Sequence, residues 1–306
     1  MISNTVLGAE LRNFLAVAPS SSSAGVGGPL ISIVMPSYNA APFIERAILS
    51  VLNQGWAAVE LIIIDGGSTD GTVDIIRRYE SRLAYWRSEK DSGQSDALNV
   101  GFAQATGQIF GWLNADDVYC PGAFARAAAA LASPGKCLVY SDWLIIDDRD
   151  NVTFRSIALP PSLPLLIADG FQFNLQATFW KSGLHPRYDA FDVRLHRTMD
   201  YDFAVTLLRG VKPRQVAVLE RPLGCFRLHP NQKTQGMDAV VRRELRLIAE
   251  RHEFLWVYTW RAKPVQAYSK LVKIAVWLRR GAFHELGRAA ANAAARITSS
   301  RCRLPL

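Results

Sequence analysis

The sequence predicts an α/β protein whose central sheet is mostly parallel and is flanked by helices. Between residues 31 and 133, apolar runs of strand length alternate four times with segments of helical periodicity. The segment VELIIID (59–65) is apolar along almost its whole length, which is typical of a strand buried on both faces. The connections between these segments are short, so the alternation indicates parallel strands joined by crossover helices.

The individual elements follow from local patterns. In segment 41–54, apolar residues recur every three or four positions from Ile44 to Val51, which places them on one face of a helix. Pro42 suits the first turn of that helix. The predicted strands cover 31–39, 59–65, 83–89 and 108–114, and the predicted helices cover 41–54, 72–80, 94–105 and 121–133.

The pattern changes after residue 135. Two apolar runs flank the turn DDRDN and predict a β-hairpin, and a long irregular stretch of the kind that is usually functional follows it. These predicted elements are strands at 137–147 and 152–159, the irregular stretch 160–176, a helix over 200–209, strands near 215–219 and 223–228, and helices beyond. We expect a flexible leader over 1–29, a main domain over 30–235 and a basic helical C-terminal extension over 236–306.

Composition and hydropathy exclude a multi-span membrane protein. The chain has 306 residues and a mean hydropathy of +0.05, and it lacks an uncharged apolar run of about 18 residues. The N-terminus has no basic start of the kind that secretory signal peptides carry, and its Ser/Gly run (20–28) indicates a flexible leader. The four cysteines lie far apart without a CxxC pair, so we expect free thiols and a reducing, cytoplasmic setting.

Positive charge is concentrated towards the C-terminus. Residues 241–306 carry 14 Lys/Arg and 4 Asp/Glu, whereas residues 1–240 carry 21 and 23. Trp256, Tyr258 and Trp260 lie among these basic residues, a combination that is typical of helices at membrane interfaces. We therefore expect residues 240–306 to make peripheral contact with an anionic membrane, at its inner face. Packing within a helical bundle or a homo-oligomer is the alternative that the sequence leaves open.

Polar residues cluster where the four predicted strands end. These ends read Ser-Tyr-Asn (37–39), Asp-Gly-Gly-Ser (65–68), Glu-Lys-Asp (89–91) and Asn-Ala-Asp-Asp (114–117). In a parallel sheet the carboxyl ends of the strands share one edge, and ligands bind outside that edge. The sequence therefore predicts a ligand site there, and the two adjacent carboxylates of the last segment suit a divalent cation.

The motifs at these strand ends carry a family resemblance. ISIVMPSYN, VELIIIDGGSTDGT, DALNVGFAQATGQIFGWLNADD and TMDYDF occur in this order between residues 31 and 203. The ordered set resembles the inverting nucleotide-sugar glycosyltransferases of family 2, which have the GT-A fold, and the resemblance covers about residues 30–235. It implies that an acceptor hydroxyl displaces a nucleoside diphosphate from the anomeric carbon of the sugar in one step.

The resemblance also implies the partners of this reaction. A divalent cation, Mn²⁺ or Mg²⁺, would neutralise the departing diphosphate, and a carboxylate base would accept the proton of the hydroxyl. We expect a UDP- or dTDP-sugar donor, because the carboxylate of Asp65 accepts the imide N–H of uracil or thymine well. The acceptor would be a glycan or a lipid-linked molecule of cell-envelope polysaccharide synthesis.

The resemblance assigns donor-binding roles to a set of residues at the strand ends. Asp65 would hold the nucleobase, with capping of the following helix as its structural alternative. Asp96 would contact the nucleotide or the donor sugar, although an Asp early in a helix also favours the helix dipole. The complete set is Pro36, Ser37, Tyr38, Asn39, Asp65, Gly67, Asp96, Asn114 and Ala115.

The segment Asn114-Ala115-Asp116 occupies the position of the DxD motif of the family. Asn114 replaces the first Asp, and a neutral amide can accept a hydrogen bond from a ribose hydroxyl but adds no charge. Asp116 is therefore the expected metal ligand, with Asp117 in an assisting role. His229, in FRLHPNQKT, would complete the metal site or contact the diphosphate, and Lys233 would add a phosphate contact.

Asp200, in TMDYDF, aligns with the carboxylate that acts as the base in similar enzymes. Met199 stands where those enzymes often have an acidic residue, and Asp202 is the competing candidate for the base. An Asp at the N-terminus of a helix is also favoured for purely structural reasons. Gln176, in QATFW, resembles a residue that borders the acceptor site.

Two other functions compete with the transferase interpretation. Asn114 and Met199 depart from the family pattern, so a nucleotide-sugar-binding protein with weakened catalysis is one alternative. The basic C-terminal region suggests a nucleic-acid-binding protein as the other. The sequence contains no RNP-type or zinc-finger motif and its first 240 residues are slightly acidic, so nucleic acid is not an expected partner.

Overall fold

The computed structural model describes residues 4–17, 27–170, 173–186, 190–230, 232–233 and 239–282. The chain divides into two compact units, Met1–Leu255 and Trp256–Leu306. The strands of the first unit are β1 (Ile31–Ser37), β2 (Val59–Asp65), β3 (Tyr85–Ser88), β4 (Ile109–Trp112), β5 (Val118–Tyr119), β6 (Leu138–Ile146), β7 (Val152–Ser156), β8 (Thr178–Lys181) and β9 (Val216–Arg227). Its helices are α1 (Asn4–Ala16), α2 (Ile44–Leu52), α3 (Thr72–Arg78), α4 (Gln94–Gln104), α5 (Ala123–Ala132), α6 (Leu163–Asp169), α7 (Met199–Arg209) and α8 (Ala239–Arg251).

These strands form one sheet in the order β3-β2-β1-β4-β8-β6-β9-β5, and β7 pairs with β6 outside this path. The first four strands of the order are parallel, as the sequence predicts. Beyond β4 the sheet is mixed, because β8 lies antiparallel between β4 and β6. The parallel half brings the carboxyl ends of β1 to β4 to one edge.

Helices cover both faces of the parallel half. Because side chains alternate along a strand, Ile33 of β1 packs with α2 and α5 in the main core, whereas Val34 points to α4 on the other face. Gly101 of α4 lies so close to β1 that a Cβ atom there would stand 2.3 Å from Val34 Cγ1. This predicted arrangement of helices on two faces is confirmed.

Pro36 lies inside β1 and does not end it. A proline in a central strand usually removes a ladder hydrogen bond. Here the pairing of β1 with β4 ends at Val34–Trp112, two residues before Pro36, while the pairing with β2 continues to Ser37–Asp65. The N–H that Pro36 lacks therefore lies beyond the end of the β1–β4 pairing, in the part of β1 that leads to the site.

The N-terminal leader that the sequence predicts is not uniformly flexible, since residues 4–16 form α1. Leu7, Leu11 and Leu15 recur at every fourth position, and they are buried against a small core that includes Ile146 and Val118. Burial of this leucine face explains why the segment is ordered in a helix. The predicted flexible run 20–28 falls mostly outside the described residues.

The compact first unit extends beyond the predicted domain boundary at residue 235. Helix α8 belongs to this unit, which ends at Leu255. The described part of the second unit contains α9 (Ala262–Arg279). Among the described residues, none of the helices has the length and apolar character needed to cross a membrane.

Candidate active site

The loops after β1 and β2 are bonded to each other. Asn39 has a left-handed backbone with φ 48°, and its side-chain oxygen accepts the N–H of Thr69 at 2.9 Å. Its own N–H donates to Ser68 Oγ at 2.7 Å, and the N–H of Ala41 donates to Asp70 Oδ2 at 3.0 Å. These bonds order the two loops as one rim, so Asn39 holds the rim and its side chain is already engaged.

Asp65 is fully buried at the end of β2. Its Oδ2 accepts the N–H groups of Gly67 and Ser68 and the hydroxyl of Ser88, and its Oδ1 accepts the hydroxyl of Ser68. All four donors belong to the protein, so the carboxylate organises the loop around Gly67, whose φ of 81° favours glycine. Its predicted contact with a nucleobase remains a prediction.

Two side chains at the end of β1 are available to a ligand. Ser37 Oγ is buried and has no hydrogen-bond partner among the described residues. Tyr38, the next residue, is 67% exposed, so its ring presents an aromatic face at the rim. A buried hydroxyl without a partner costs free energy unless a ligand or water bonds to it. The predicted nucleoside site thus contains one unpaired hydroxyl and one exposed ring.

The start of α4 adds two carboxylates to this edge. Asp96 Oδ2 accepts the N–H of Ser92 at 3.0 Å, and Asp91 Oδ1 accepts the N–H of Gly93 at 2.8 Å. Burial raises the pKa of Asp91, and the charges of Asp96 and Asp65 raise it further. Asp91 is therefore close enough to Asp96 and Asp65 to be repelled by both, and a bound cation or hydrogen-bond donor would relieve this repulsion.

Asn114 connects the end of β4 to the start of α4. Its side-chain oxygen accepts hydrogen bonds from Trp112 Nε1 and Gln94 Nε2, both at 2.8 Å, and its amide donates to Asp117 Oδ2 at 3.1 Å. A carboxylate at this position would repel the carboxylate of Asp117. The substitution of Asn for Asp is thus explained locally by the partners that surround it. The next residue, Ala115, is buried in the core, so only its backbone is near the site.

Asp116 and Asp117 point in different directions. Asp116 Oδ2 lies 3.0 Å from His229 Nε2, which confirms that the two residues are neighbours although the sequence separates them by 113 positions. Asp117 is fully buried and accepts the N–H of Arg227 at 2.8 Å. Burial raises the pKa of Asp117 well above its usual value, and the charge of Asp116 adds to this effect. Asp116 is thus the one of the two that a ligand can reach.

Arg227 is a buried cation beneath this pair. Its Nε donates to the carbonyl oxygen of Asp116 at 2.7 Å, and its Nη2 donates to Asp150 Oδ1 at 2.6 Å. Its guanidinium group lies 5.1 Å from the centre of the Phe43 ring, and the same ring packs against His229 at 4.6 Å. Arg227 therefore joins the loop after β4, the β6–β7 hairpin and the end of β9.

Asp200 lies in the first turn of α7 and is half-buried. Its Oδ1 accepts the N–H of Tyr201 at 2.8 Å. Burial of the carboxyl group raises its pKa to about 6, and the charge of Glu244 contributes in the same direction. A carboxylate with a pKa near neutrality that is still in contact with solvent is suited to accept a proton.

Asp202, the competing candidate, is engaged by two side chains, Arg251 and His252. Its Oδ2 accepts a hydrogen bond from Arg251 Nη1 at 2.9 Å, and its Oδ1 lies 2.7 Å from His252 Nε2. Gln176 is also buried, and it lies beside β9. Its backbone carbonyl oxygen is so close to Gly224 that a Cβ atom at that position would stand 2.1 Å from it. Asp202 therefore serves to attach α8 to α7, whereas Asp200 accepts the N–H of Tyr201 and has no ion-pair partner among the described residues.

Comparison with known proteins identifies the family. Residues 32–192, just over half of the chain, match the model of glycosyl transferase family 2. The chain belongs to this family. An uncharacterized glycosyltransferase of Rickettsia typhi is 31% identical over 195 residues, and one of Mycobacterium tuberculosis is 33% identical over 181 residues. The matches cover 59% and 57% of this chain and 59% and 67% of those relatives.

Solved structures support the fold of this family 2 glycosyltransferase. Staphylococcus aureus TarS 1–349 in complex with UDP-GlcNAc has a TM-score of 0.60 at 17% identity, covering 78% of this chain and 79% of that one. The mannosyltransferase PcManGT of Pyrobaculum calidifontis, in complex with GDP-Man and Mn²⁺, has a TM-score of 0.51 at 18% identity and covers 94% and 88%. The predicted GT-A fold and the predicted membership of glycosyltransferase family 2 are confirmed.

Two side chains of this family 2 protein are candidate metal ligands. Within the described ranges, no group of three or more His, Cys, Asp or Glu side chains is arranged to hold a metal ion. Asp116 and His229 nevertheless converge to 3.0 Å. Mg²⁺ commonly binds through one or two protein carboxylates while substrate phosphates and waters complete its coordination. The pair fits a cation of this kind, held jointly with the diphosphate of a donor.

Two charged residues of the site, Arg227 and Asp91, have no individual role in the sequence-based prediction. Arg227 stands two positions before His229 in FRLH, and nothing in that motif indicates a buried guanidinium group. Asp91 follows β3 at the edge where ligands are expected, so its position was a signal that could have identified it. Burial lowers the pKa of Lys233. The charges of Asp91 and Glu244 nearby act in the opposite direction but are weaker than burial.

Proposed function

We propose that this protein is an inverting glycosyltransferase that moves a sugar from a nucleoside diphosphate to a hydroxyl of a glycan or lipid-linked acceptor. The observation that carries the proposal is the division of roles between the two carboxylates of TMDYDF. Asp202 forms an ion pair with Arg251 and also contacts His252, whereas Asp200 is partly open to solvent and its pKa is raised to about 6. Only one of the two is therefore suited to act as a base near neutral pH.

The donor is held at the carboxyl ends of β1, β2 and β4. The ring of Tyr38 and the unpaired hydroxyl of Ser37 contact the nucleoside, beside the loop that Asp65 orders. The start of α4, with Asp96, faces the sugar. UDP- and dTDP-sugars are the proposed donors, and they are to be compared with GDP-sugars because TarS and PcManGT were solved with UDP-GlcNAc and GDP-Man.

Asp116 and His229, whose side chains lie 3.0 Å apart, would hold a divalent cation together with the diphosphate. A cation bound there would supply positive charge against the charge that develops on the leaving group. The protein supplies the remaining parts of the mechanism. Arg227 fixes the backbone of Asp116, and Asp200 accepts the proton of the acceptor hydroxyl as that oxygen attacks the anomeric carbon.

A thermal-shift panel identifies the donor. UDP-, dTDP- and GDP-sugars are tested with and without Mn²⁺, because a ligand that binds only the folded state raises the midpoint of unfolding. The sugar that gives the largest shift is then supplied with an acceptor extract, and release of the nucleoside diphosphate is measured. A sugar nucleotide that raises the midpoint of unfolding without release of nucleoside diphosphate would favour the alternative, a binding protein with weakened catalysis, which Asn114 and Met199 suggested.

We further propose that α9 contacts an anionic membrane surface. Tyr268, Leu271, Ile274 and Leu278 are exposed and follow one another at intervals of three or four residues, so they form a single apolar stripe along the helix. By the same periodicity, Lys270 lies at the border of this stripe. An apolar face bordered by cations is the arrangement of helices that lie in the plane of an anionic interface.

Vesicle binding tests this contact. The full chain should sediment with anionic vesicles at low salt and much less with neutral vesicles. Leu271→Glu, which places a negative charge in the stripe, should abolish the binding. Val240→Glu, which alters an exposed apolar residue of α8, is the matched control and should bind as the wild type does. Equal recovery with both kinds of vesicle, or unchanged binding of Leu271→Glu, would refute the membrane proposal and leave the transferase proposal intact.

A further inference from the structure

The described segment that leads into α7, residues 190–198, is held by α4 on one side. Ser95 Oγ of α4 donates to the carbonyl oxygen of Leu195 at 3.0 Å. Asn99 of the same helix exchanges two hydrogen bonds with the backbone of Phe191, at 2.7 Å and 3.0 Å. The segment is therefore tied to the helix that begins at the donor side of the site.

Glu244 of α8 holds the other side of this segment. Its side chain is 3% exposed, and it accepts the N–H groups of three successive residues, His196 at 2.9 Å, Arg197 at 3.0 Å and Thr198 at 3.0 Å. The hydroxyl of Thr198 adds a fourth hydrogen bond at 2.9 Å. Hydrogen bonds to an ionised acceptor are about twice as strong as neutral ones, so a buried carboxylate with four donors holds this backbone firmly.

The segment that Glu244 holds ends immediately before Asp200. Thr198 is the N-cap of α7, but its hydroxyl donates to Glu244 and makes no side-chain cap of its own. Met199, which follows, is buried and offers no polar group. The backbone up to Thr198, two residues before Asp200, is therefore held from α8, by a residue 46 positions beyond Thr198.

We propose that Glu244 is a positioning residue for Asp200. By holding the backbone of residues 196–198, it fixes the first turn of α7 and the direction from which Asp200 meets the acceptor hydroxyl. This inference rests on the proposed role of Asp200 as the base. It assigns a part in the reaction to α8, beyond the predicted boundary of the catalytic domain.

The negative charge of Glu244 gives the proposal a second measurable consequence. It opposes ionisation of Asp200, and burial acts in the same direction. Loss of the charge should therefore lower the pKa of Asp200. The other charged groups around this turn are Asp202, Arg251 and His252 at the α7–α8 contact, Asp192, Arg194, His196 and Arg197 in the preceding segment, and Lys233.

Attachment of α8 does not depend on Glu244 alone. Arg251 and His252 bind Asp202 of α7, and the carbonyl oxygen of His252 accepts a hydrogen bond from Arg209. A variant at position 244 should therefore keep α8 in place while it loosens residues 196–198. Glu250 of the same helix forms an exposed ion pair with Arg246 and makes none of these contacts, so it supplies a matched control.

The experiment compares Glu244→Gln and Glu250→Gln in the full chain with the donor identified above. For Glu244→Gln we expect kcat to fall at least about tenfold, KM for the donor to stay within about twofold, and the acidic limb of the kcat profile to move to lower pH, because misplacement of a catalytic group costs turnover more than donor binding. Glu250→Gln should match the wild type in all three. Thr198→Val, which removes one of the four donors, should show a smaller loss of kcat.

A folded Glu244→Gln protein with wild-type kcat and an unmoved acidic limb would overturn the proposal. If Glu244→Gln does not fold, Thr198→Val decides, and wild-type kcat for that variant overturns the proposal. Failure of this proposal can be told apart from failure of the proposed base. If Asp200 is not the base, Asp200→Asn retains turnover, whatever effect the substitution at position 244 has.

Discussion

Replacement of Asp200 by Asn should abolish turnover and at the same time stabilise the protein at alkaline pH. Asn keeps the size of the side chain and an oxygen that can accept the N–H of Tyr201, now bonded at 2.8 Å. It removes the basic carboxylate, so kcat should fall by about 10²–10⁴-fold while donor binding persists. A loss of function that coincides with a gain in stability is the expected signature of a desolvated catalytic base.

The stability change follows from the pKa of Asp200. Burial raises this pKa from 3.8 to about 6, so ionisation is less favourable in the folded state than in the unfolded state. The stabilising contribution of the raised pKa is complete below about pH 4 and is lost as the pH rises through 6. The difference of about 2 pKa units corresponds to an upper limit of about 3 kcal/mol. Because the side chain retains contact with solvent, we expect Asp200→Asn to gain about 1–2 kcal/mol at pH 8 and little near pH 4.

Asp202→Asn provides the matched control. Its carboxylate is buried against Arg251 and His252, so the substitution removes the negative charge that both side chains contact. Arg251 is 44% exposed and also contacts Asp192 at 3.5 Å, so this variant should lose about 1–3 kcal/mol of stability. The two neighbouring substitutions thus have opposite expected effects on the free energy of unfolding.

Urea unfolding at pH 8 and near pH 4, together with kcat measured from pH 5 to 9, checks these expectations. The wild-type kcat should fall on the acid side with a midpoint near pH 6. Turnover of Asp200→Asn within about threefold of the wild type would refute the assignment of the base. A loss of stability at pH 8 in the same variant would refute the desolvation argument.

Three further predictions concern the rest of the site. Asp116→Ala should lower turnover at least about tenfold, and EDTA should inhibit the wild-type enzyme reversibly, with activity restored by Mn²⁺; full activity in excess EDTA would exclude the metal role. Arg227→Met should destabilise the fold by about 3–5 kcal/mol in urea, because the carbonyl oxygens of Asp116 and Asp147 lose their buried donor and Asp150 keeps only Arg46 as a cationic partner among the described residues; a change below about 1 kcal/mol would show that the contacts of Arg227 are not structural. Gly67→Ala should cost about 1 kcal/mol or more, because φ is 81° and the added Cβ would lie 3.3 Å from the backbone nitrogen of Lys90, and an unchanged unfolding midpoint would contradict this.

The elements that the sequence predicted well are those with strong local periodicity. The strands and helices of the parallel half appear at the predicted places, because apolar spacing alone decides which face of each segment is buried. Strand β8 was missed because its four residues lie in a stretch without periodicity, and its place between β4 and β6 is set by long-range pairing. Helix α1 was missed because the neighbouring Ser/Gly run outweighed the regular leucines before it.

For the site, too, local sequence determined some features and long-range contacts determined others. The sequence by itself determined which polar residues follow the strands and, through the order of its motifs, the family to which the chain belongs. Only the tertiary structure decided that Asp202 contacts residues 49 and 50 positions away, whereas Asp200 makes no ion pair within the part of the chain that the structure describes. Burial and hydrogen-bond partners determine whether a carboxylate can act as a base, and these depend on residues that the fold brings together from distant parts of the chain.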